Sequence, residues 1–488
     1  MTEKLIHRLT APDAAFLYFE RPNAPLHIGS LGIYQGQIAF QRFLSHMDSR
    51  MPNIPRYRQR LAFVPLGLSH PTWEDDPAFD IRNHVFHVSL PAPGNDEQLR
   101  EVTAEIFAKP LDRNKPLWES YVISGIESAR SAILSKVHHC LVDGVSGIEL
   151  LMAIVDLTPE EAPPPEAAPW EPQPLPAAPT RVEGAFWDQV DRQLGAFQDW
   201  VQGMIDPQAQ WKRAQDAMRA FTLASPYLTR PAPRTPFAVT IGPDRLLGFS
   251  EMSFIEIREI RTSLGGTVND VVLTVLAGAL RRYLLQHGHQ VDGVEIRVAV
   301  PVNVRHEEEQ GALGNRVSMM LTSLPLGEGD AGKRYRAIQE HVNSLKQGNQ
   351  AAGLELVSRL GSLAPAPLQV LAGMIPSPNT LVNMICTNVP GPMIPLYAVG
   401  QLLLEHYPLV PLSMGMGLGV GVTSYNHRLF FGLTADPKAV PDIDFLKECV
   451  DESFLELRTA AGVSATDIPV FAGNHRPAAP TPTTVASA

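Results

Sequence analysis

Cysteine is almost missing from this chain: 488 residues hold three, Cys140, Cys386 and Cys449. So sparse and odd a set builds no disulfide framework and has no metal-ligand spacing, which points to a reducing, cytoplasmic setting. Also missing is any apolar run of the roughly 18 residues that a membrane-spanning helix needs. The stretch Leu409 to Val422 comes nearest, but it is short, glycine-rich and broken by Pro411. Met1 to Thr10 mixes charged and apolar residues and does not read as a secretory signal. No basic cluster offsets the net charge of −11, which argues against a nucleic-acid partner. There is no phosphate-binding Gly-rich loop, no dinucleotide turn, no Gly-x-Ser-x-Gly elbow and no metal cluster, so neither a metal nor a cofactor is expected.

What is present suits a soluble globular protein: 44% hydrophobic and 19% charged residues, and length enough for two or three domains. Residues 1–157 form a first block of short strand and helix signals. Pro159 to Pro179 is then almost all Pro, Ala and Glu, an extended linker. Trp187, Val190, Leu194, Phe197, Val201 and Met204 recur at helical spacing, so residues 183–205 are predicted helical inside a connecting segment, 158–239. The polar face of that helix holds Asp188, Asp191 and Asp199 against Arg192. Its stripe is therefore expected to dock on the protein, with only weak peripheral contact to a membrane. A second block covers 240–470, with a long helix from Thr267 to Leu284 and a buried strand from Glu295 to Val302. Residues 471–488 read as a disordered tail rich in Pro, Ala, Thr and Ser.

The most informative stretch is Lys136-Val137-His138-His139-Cys140-Leu141-Val142-Asp143-Gly144, an HHxxxDG motif. Ala132, Ile133, Leu134 and Val137 before it read as a buried strand. Ser146 and Glu149 after it have capping-box spacing and open an apolar helix, Ile148 to Val155. The histidines thus sit at a strand end, on a short loop held by Gly144 and Gly147. A general base needs such a mounting to keep its position. Thr267 and Asp270 also have capping-box spacing. Asn315 to Ser318 and Asn388 to Pro392 read as tight turns, and Cys140 as a small buried residue beside the motif.

At the histidine motif the chain resembles the acyl-CoA-dependent acyltransferases with the chloramphenicol acetyltransferase and condensation-domain fold. It is most similar to the bacterial wax ester synthase/diacylglycerol acyltransferase family. Asp13-Ala14-Ala15-Phe16, Pro116-Leu117-Trp118, Val268-Asn269-Asp270, Pro301 to Arg305, Gly314 to Ser318 and Asn388 to Pro392 extend the resemblance, in the family's order. It implies two similar α/β domains joined by the Pro-rich linker and helical segment, with an active-site tunnel between them. The Asp-Phe-Gly-Trp-Gly motif of the wider superfamily is missing, which sets the chain apart from the antibiotic acetyltransferases.

The resemblance further implies an O-acyltransferase that uses acyl-CoA as co-substrate and esterifies diacylglycerol or a long-chain alcohol. His139 would be the base, taking the alcohol proton and returning it to the departing CoA sulfur, with no acyl-enzyme. His138 would support it. Asp143, with Gly144 completing the motif, would pair with an arginine and shape the loop; Arg58, in Tyr57 to Leu61, is the first candidate partner and Arg305 the second. Asn269 and Asp270 would lie near the site, where a helix N-terminus also offers amide donors to a developing oxyanion. Two alternatives stay open: a condensation-type transferase fed by a carrier protein, and a catalytically silent scaffold on lipid droplets.

Overall fold

The computed structural model describes residues 8–64, 68–142, 147–160, 170–173, 230–303, 317–347, 366–374 and 381–466, with single positions at 215, 218, 222 and 354. Asp143, Gly144, Ser146, Arg305, the 183–205 helix and the 471–488 tail lie outside the described residues.

The first half runs α1 (Ala11–Phe19), β1 (His27–Tyr34), α2 (Phe40–Arg50), β2 (Gln59–Ala62), β3 (Thr72–Asp75), β4 (Val85–Ser89), α3 (Asp96–Ala108), β5 (Trp118–Ile126), β6 (Arg130–His138) and α4 (Gly147–Ile154). The second half runs β7 (Leu246–Ser253), α5 (Phe254–Leu264), α6 (Val268–Gln286), β8 (Glu295–Asn303), β9 (Val317–Pro325), α7 (Ala331–Gln347), α8 (Ala366–Met374), β10 (Met384–Val389), β11 (Tyr397–Ala398), β12 (Gln401–Leu409), β13 (Leu418–Tyr425), β14 (Arg428–Ala435) and α9 (Ile443–Ala460).

Local chemistry accounts for most boundaries. Asn95 and Gln98 close a full capping box at the start of α3, and Thr267 and Asp270 close another at α6; each satisfies amides that a helix start leaves unpaired. The helix expected from Thr267 to Leu284 is therefore α6 with Thr267 as its cap, and the strand expected from Glu295 is β8. Gly147 belongs to α4 and not to the loop before it. The two stretches read as turns are partly strand. Asn388 and Val389 finish β10, and Ser318 lies in β9 opposite Val302. Sheet pairing extends these segments past the point where turn-forming residues begin.

Two six-stranded sheets result, in the orders β11-β12-β1-β6-β5-β4 and β7-β14-β13-β10-β8-β9. The second has a parallel centre, β13, β10 and β8, flanked by antiparallel strands. The halves exchange structure: β11 and β12 follow β10 in sequence but enter the first sheet, where β12 pairs with β1 from Gly29↔Leu409 to Ile33↔Glu405. A strand's side-chain period says which faces it has, not which sheet it joins.

Where β12 crosses the second sheet the approach is so close that glycine is required. A Cβ on Gly432 would lie 1.8 Å from the main-chain oxygen of Pro408, and one on Gly421 would lie 3.1 Å from the Pro408 ring. Gly432→Ala is expected to destabilise the protein by about 1–3 kcal/mol, the usual cost of overpacking a rigid contact. Urea unfolding measures it, and a midpoint equal to wild type would show that β12 can move away freely.

Candidate active site

The ladder of β6 ends at His138, and a short 3-10 turn, His139–Leu141, follows. Main-chain bonds pin both histidines: the His138 amide donates to Leu117 O (3.0 Å) and the His139 amide to Leu26 O (3.0 Å). The Pro116-Leu117-Trp118 motif therefore acts through the backbone. Trp118 is 1% exposed, stacks on Tyr57 and His84 at 4.4 and 4.8 Å, and donates its indole N–H to Tyr57 O. It is core, and it anchors the strand end that carries the histidines.

The two rings have different surroundings. His139 is half-buried, and Phe16 of α1 stacks on it with centroids 3.8 Å apart and planes 11° apart. That stack covers one face of the imidazole and fixes its plane. The pKa of His139 is pushed down to about 4, chiefly by burial and further by His138 beside it, against a hydrogen bond to its own main chain that raises it. Of its two ring nitrogens Nε2 lies farther from the main chain and is the one a reacting hydroxyl would reach. His139 is thus a free base at neutral pH, and once protonated it is a strong acid toward a leaving group.

This sets a pH expectation. A base at His139 acts in its unprotonated form, so on that reading activity is lost as pH falls through the folded pKa. At pH 5.5 a base with pKa about 4 is about 97% active, against about 9% for one at the ordinary value of about 6.5. The acidic limb of kcat/KM is expected well below pH 6, with circular dichroism at each pH to control for unfolding. A limb centred near 6.5 in folded protein would remove this account of His139.

His138 is buried, and its Nδ1 accepts the Cys140 amide (3.2 Å) with Cys140 Sγ at 2.9 Å. Its Nε2 faces Glu20 Oε1 at 3.4 Å. Glu20 also accepts Leu26 N and two bonds from Arg113. Burial alone would raise the Glu20 pKa, but the contacts from His138, the Leu26 amide and Arg113 outweigh it and hold the pKa at about 2. Directly across the strand pair from His138 lies His27. It is fully buried, its Nε2 is bonded to Phe107 O (2.7 Å), and burial depresses its pKa to about 3. Cys140 is fully buried and burial pushes its thiol well above the usual range, so it is no nucleophile.

The second half separates Asn269 from Asp270. Asp270 is 0% exposed, takes Thr267 N and Oγ1 on one carboxylate oxygen, and returns its own amide to Thr267. It faces Tyr335 of α7 and serves as the helix cap. Its amide is already committed to capping and is not a donor for an oxyanion. Asn269 instead meets the end of β10, where Asn388 Nδ2 donates to Asn269 Oδ1 at 2.5 Å. Arg58 donates to Met51 O and lies over the Trp170 ring at 4.8 Å, with Asp75 and Asp48 as acidic neighbours. Its relation to Asp143 lies outside the described residues, as does that of Arg305.

Glu20, Arg113, His27 and Phe16 were not singled out for chemistry by the sequence. The sequence hints are that Phe16 belongs to the Asp13-Ala14-Ala15-Phe16 motif and that Asp13, Phe16 and the cap residue Glu20 are spaced to share one face of α1. A cleft of about 480 Å³ lies elsewhere between the halves, lined by Ile33, Leu99, Phe249, Glu256, Tyr407 and Phe454 among others, and it does not include the histidine pair.

Two sheet-rich α/β halves, with a histidine pair at a strand end of the first, form a fold also seen in wax ester synthases and condensation domains. Solved structures agree on the fold: a wax ester synthase/diacylglycerol acyltransferase of Marinobacter aquaeolei VT8 matches with TM-score 0.67 at 24% identity, over 94% of this chain and all of that one. The first condensation domain of the calcium-dependent antibiotic synthetase matches with TM-score 0.58 at 16% identity, over 95% and 98%. The profile of the wax ester synthase/diacylglycerol acyltransferase catalytic domain matches residues 9–272 and that of the family's C-terminal domain residues 313–458, and the chain belongs to this family. Among its relatives are two proteins of Mycobacterium tuberculosis H37Rv. A putative diacylglycerol O-acyltransferase is 32% identical over 466 residues, 93% of this chain and 90% of the relative. A probable diacylglycerol O-acyltransferase is 30% identical over 457 residues, 93% and 96%.

Proposed function

We propose that the protein transfers a fatty acyl group from acyl-CoA to the hydroxyl of diacylglycerol or a long-chain alcohol, with His139 as the general base. The observation that carries this is the place of His139 at the end of β6, its ring stacked on Phe16 and its amide bonded to Leu26 O. The alcohol proton passes to Nε2 as the oxygen attacks the thioester carbon. The tetrahedral intermediate then collapses, the C–S bond breaks and the same proton goes to sulfur. An ester and free CoA result, atoms and charge balance, and no acyl-enzyme or cofactor is needed.

The acceptor is insoluble in water, so peripheral contact with a lipid surface belongs to the same reading. Among the described residues no single helix is long and apolar enough to cross a membrane. Phe19 at the end of α1 and Leu368 and Leu371 of α8 are exposed, and α1 and α8 pack together. Three free, buried thiols suit a reducing compartment such as the cytoplasm.

The test is purified protein with palmitoyl-CoA and either diolein or hexadecanol, read by lipid chromatography together with free-thiol release. An apolar pocket whose base asks only for a hydroxyl discriminates weakly between alcohols, so both triacylglycerol and wax ester are expected. Ester formed only from a carrier-bound acyl group would favour the condensation-type reading, and no turnover with any donor would favour the scaffold.

A further inference from the structure

Glu20 closes α1 with its side chain only 6% exposed, and four N–H groups face it. Leu26 N (2.9 Å) and His138 Nε2 (3.4 Å) address Oε1, while Arg113 Nε (3.0 Å) and Nη2 (2.6 Å) address Oε2. Arg113 is itself tied to α1, donating from Nη2 to Leu17 O at 2.8 Å. A carboxylate suits this position because it accepts at both oxygens and donates nothing.

On the far side of the His138 ring, Nδ1 faces the Cys140 amide. A main-chain N–H can only donate, so Nδ1 is bare and the ring proton sits on Nε2, which lies 3.4 Å from Glu20 Oε1, at ion-pair distance but out of line for a hydrogen bond. The opposite tautomer would set Nδ1–H against the Cys140 N–H, two donors face to face, with only the weakly accepting Cys140 Sγ (2.9 Å) to receive it. That clash would loosen the turn that begins at His139 and closes with Val142 N donating to His139 O (3.3 Å). Four residues before Glu20 on the same helix, Phe16 lies on His139. One helix face therefore orients both rings, His139 by stacking and His138 by its proton.

We infer from this geometry that Glu20, locked by Arg113, is a positioning residue for the acyl transfer: it selects the His138 tautomer and thereby fixes the turn that presents His139. The inference rests on His139 being the base, but the tautomer can be read without turnover. Glutamine at position 20 would offer one acceptor oxygen and one NH₂, and whichever way it turned, the NH₂ would oppose existing donors. A base displaced by about 1 Å can lose up to about 10²-fold in rate.

The experiment pairs steady-state kinetics with ¹⁵N spectra of histidine-labelled protein, the His138 signals being assigned by their loss in His138→Gln. Wild type is expected to show His138 protonated on Nε2 and bare on Nδ1. Glu20→Gln is expected to mix or invert that pattern and to lower kcat about tenfold or more, with KM for acyl-CoA within about twofold. Glu20→Asp, which keeps charge and acceptors, should restore the tautomer and recover part of kcat. A proton on Nδ1 in wild type would overturn the inference, as would Glu20→Gln with an unchanged tautomer and kcat within about twofold. If the Gln variant does not fold, the wild-type spectrum decides alone. A wrong assignment of the base would appear in the turnover of a His139 variant and leave these spectra as they are.

Discussion

His139→Ala is expected to lower kcat by about 10²–10⁴ and to leave the fold in place, because in the proposed reaction the ring makes both proton transfers and neighbouring groups are committed elsewhere. That loss corresponds to about 3–5 kcal/mol of transition-state stabilisation at 1.36 kcal/mol per decade. Stability should change little. The His139 amide keeps its bond to Leu26 O, and the ring's stack on Phe16 is worth about 0.5–1.5 kcal/mol. His138→Ala should cost rate too, through the turn that its ring caps, though less than His139→Ala. Its ring is buried and faces the Glu20 carboxylate, so its loss leaves polar groups without partners and costs stability more than His139 does. Rates and urea midpoints of both variants, measured side by side, check the assignment. Turnover by the His139 variant within a few-fold of wild type would end it, and ester formation would then need another base.

Why the sequence singled out His139 but not Glu20 follows from distance along the chain. His138, His139 and Asp143 lie within six residues, so a local pattern records them, and the strand before them shows its burial in Ala132, Ile133, Leu134 and Val137. The α6 cap is equally local, since Thr267 and Asp270 are three residues apart. Glu20 and His138 are separated by more than a hundred residues, and Glu20 and Arg113 by 93. Nothing in either neighbourhood says that β1 and β6 will bring them together. The exchange of β12 was hidden for a similar reason: its residues announce a strand, but its partner β1 is far away in sequence, and the need for Gly432 appears only once Pro408 lies against it. Asn269 and Asp270 show the same limit in miniature. As neighbours they read as one motif, yet helix geometry turns one toward β10 and the other toward α7.

Lys136→Met is expected to destabilise the protein by about 2–4 kcal/mol, although lysine usually sits at surfaces and methionine suits a core. Lys136 is 0% exposed. Its ammonium donates to Ile106 O (3.0 Å) and Lys109 O (2.8 Å), at the C-terminal end of α3, and to Glu119 Oε2 (3.1 Å). All three protons are thus used, two of them on carbonyls at the helix end: Lys109 O, and Ile106 O, which also accepts the Lys109 amide. Burial pulls the pKa of Lys136 down, while Glu119 pushes it back up, so the cation is not comfortable there. Removing it returns some desolvation cost but takes the ammonium from Lys109 O and one of two donors from Ile106 O. The carbonyl term should win, because Glu119 remains partly exposed and keeps a bond from Tyr121 OH (2.8 Å), so it needs the lysine least. Glu119→Gln provides the comparison and should cost under about 1 kcal/mol, as expected for a partly solvated ion pair. Urea unfolding of both variants separates the two roles. A Glu119→Gln loss as large as that of Lys136→Met would mean that the ion pair, and not the capping of α3, holds this strand in place two residues before the histidine pair.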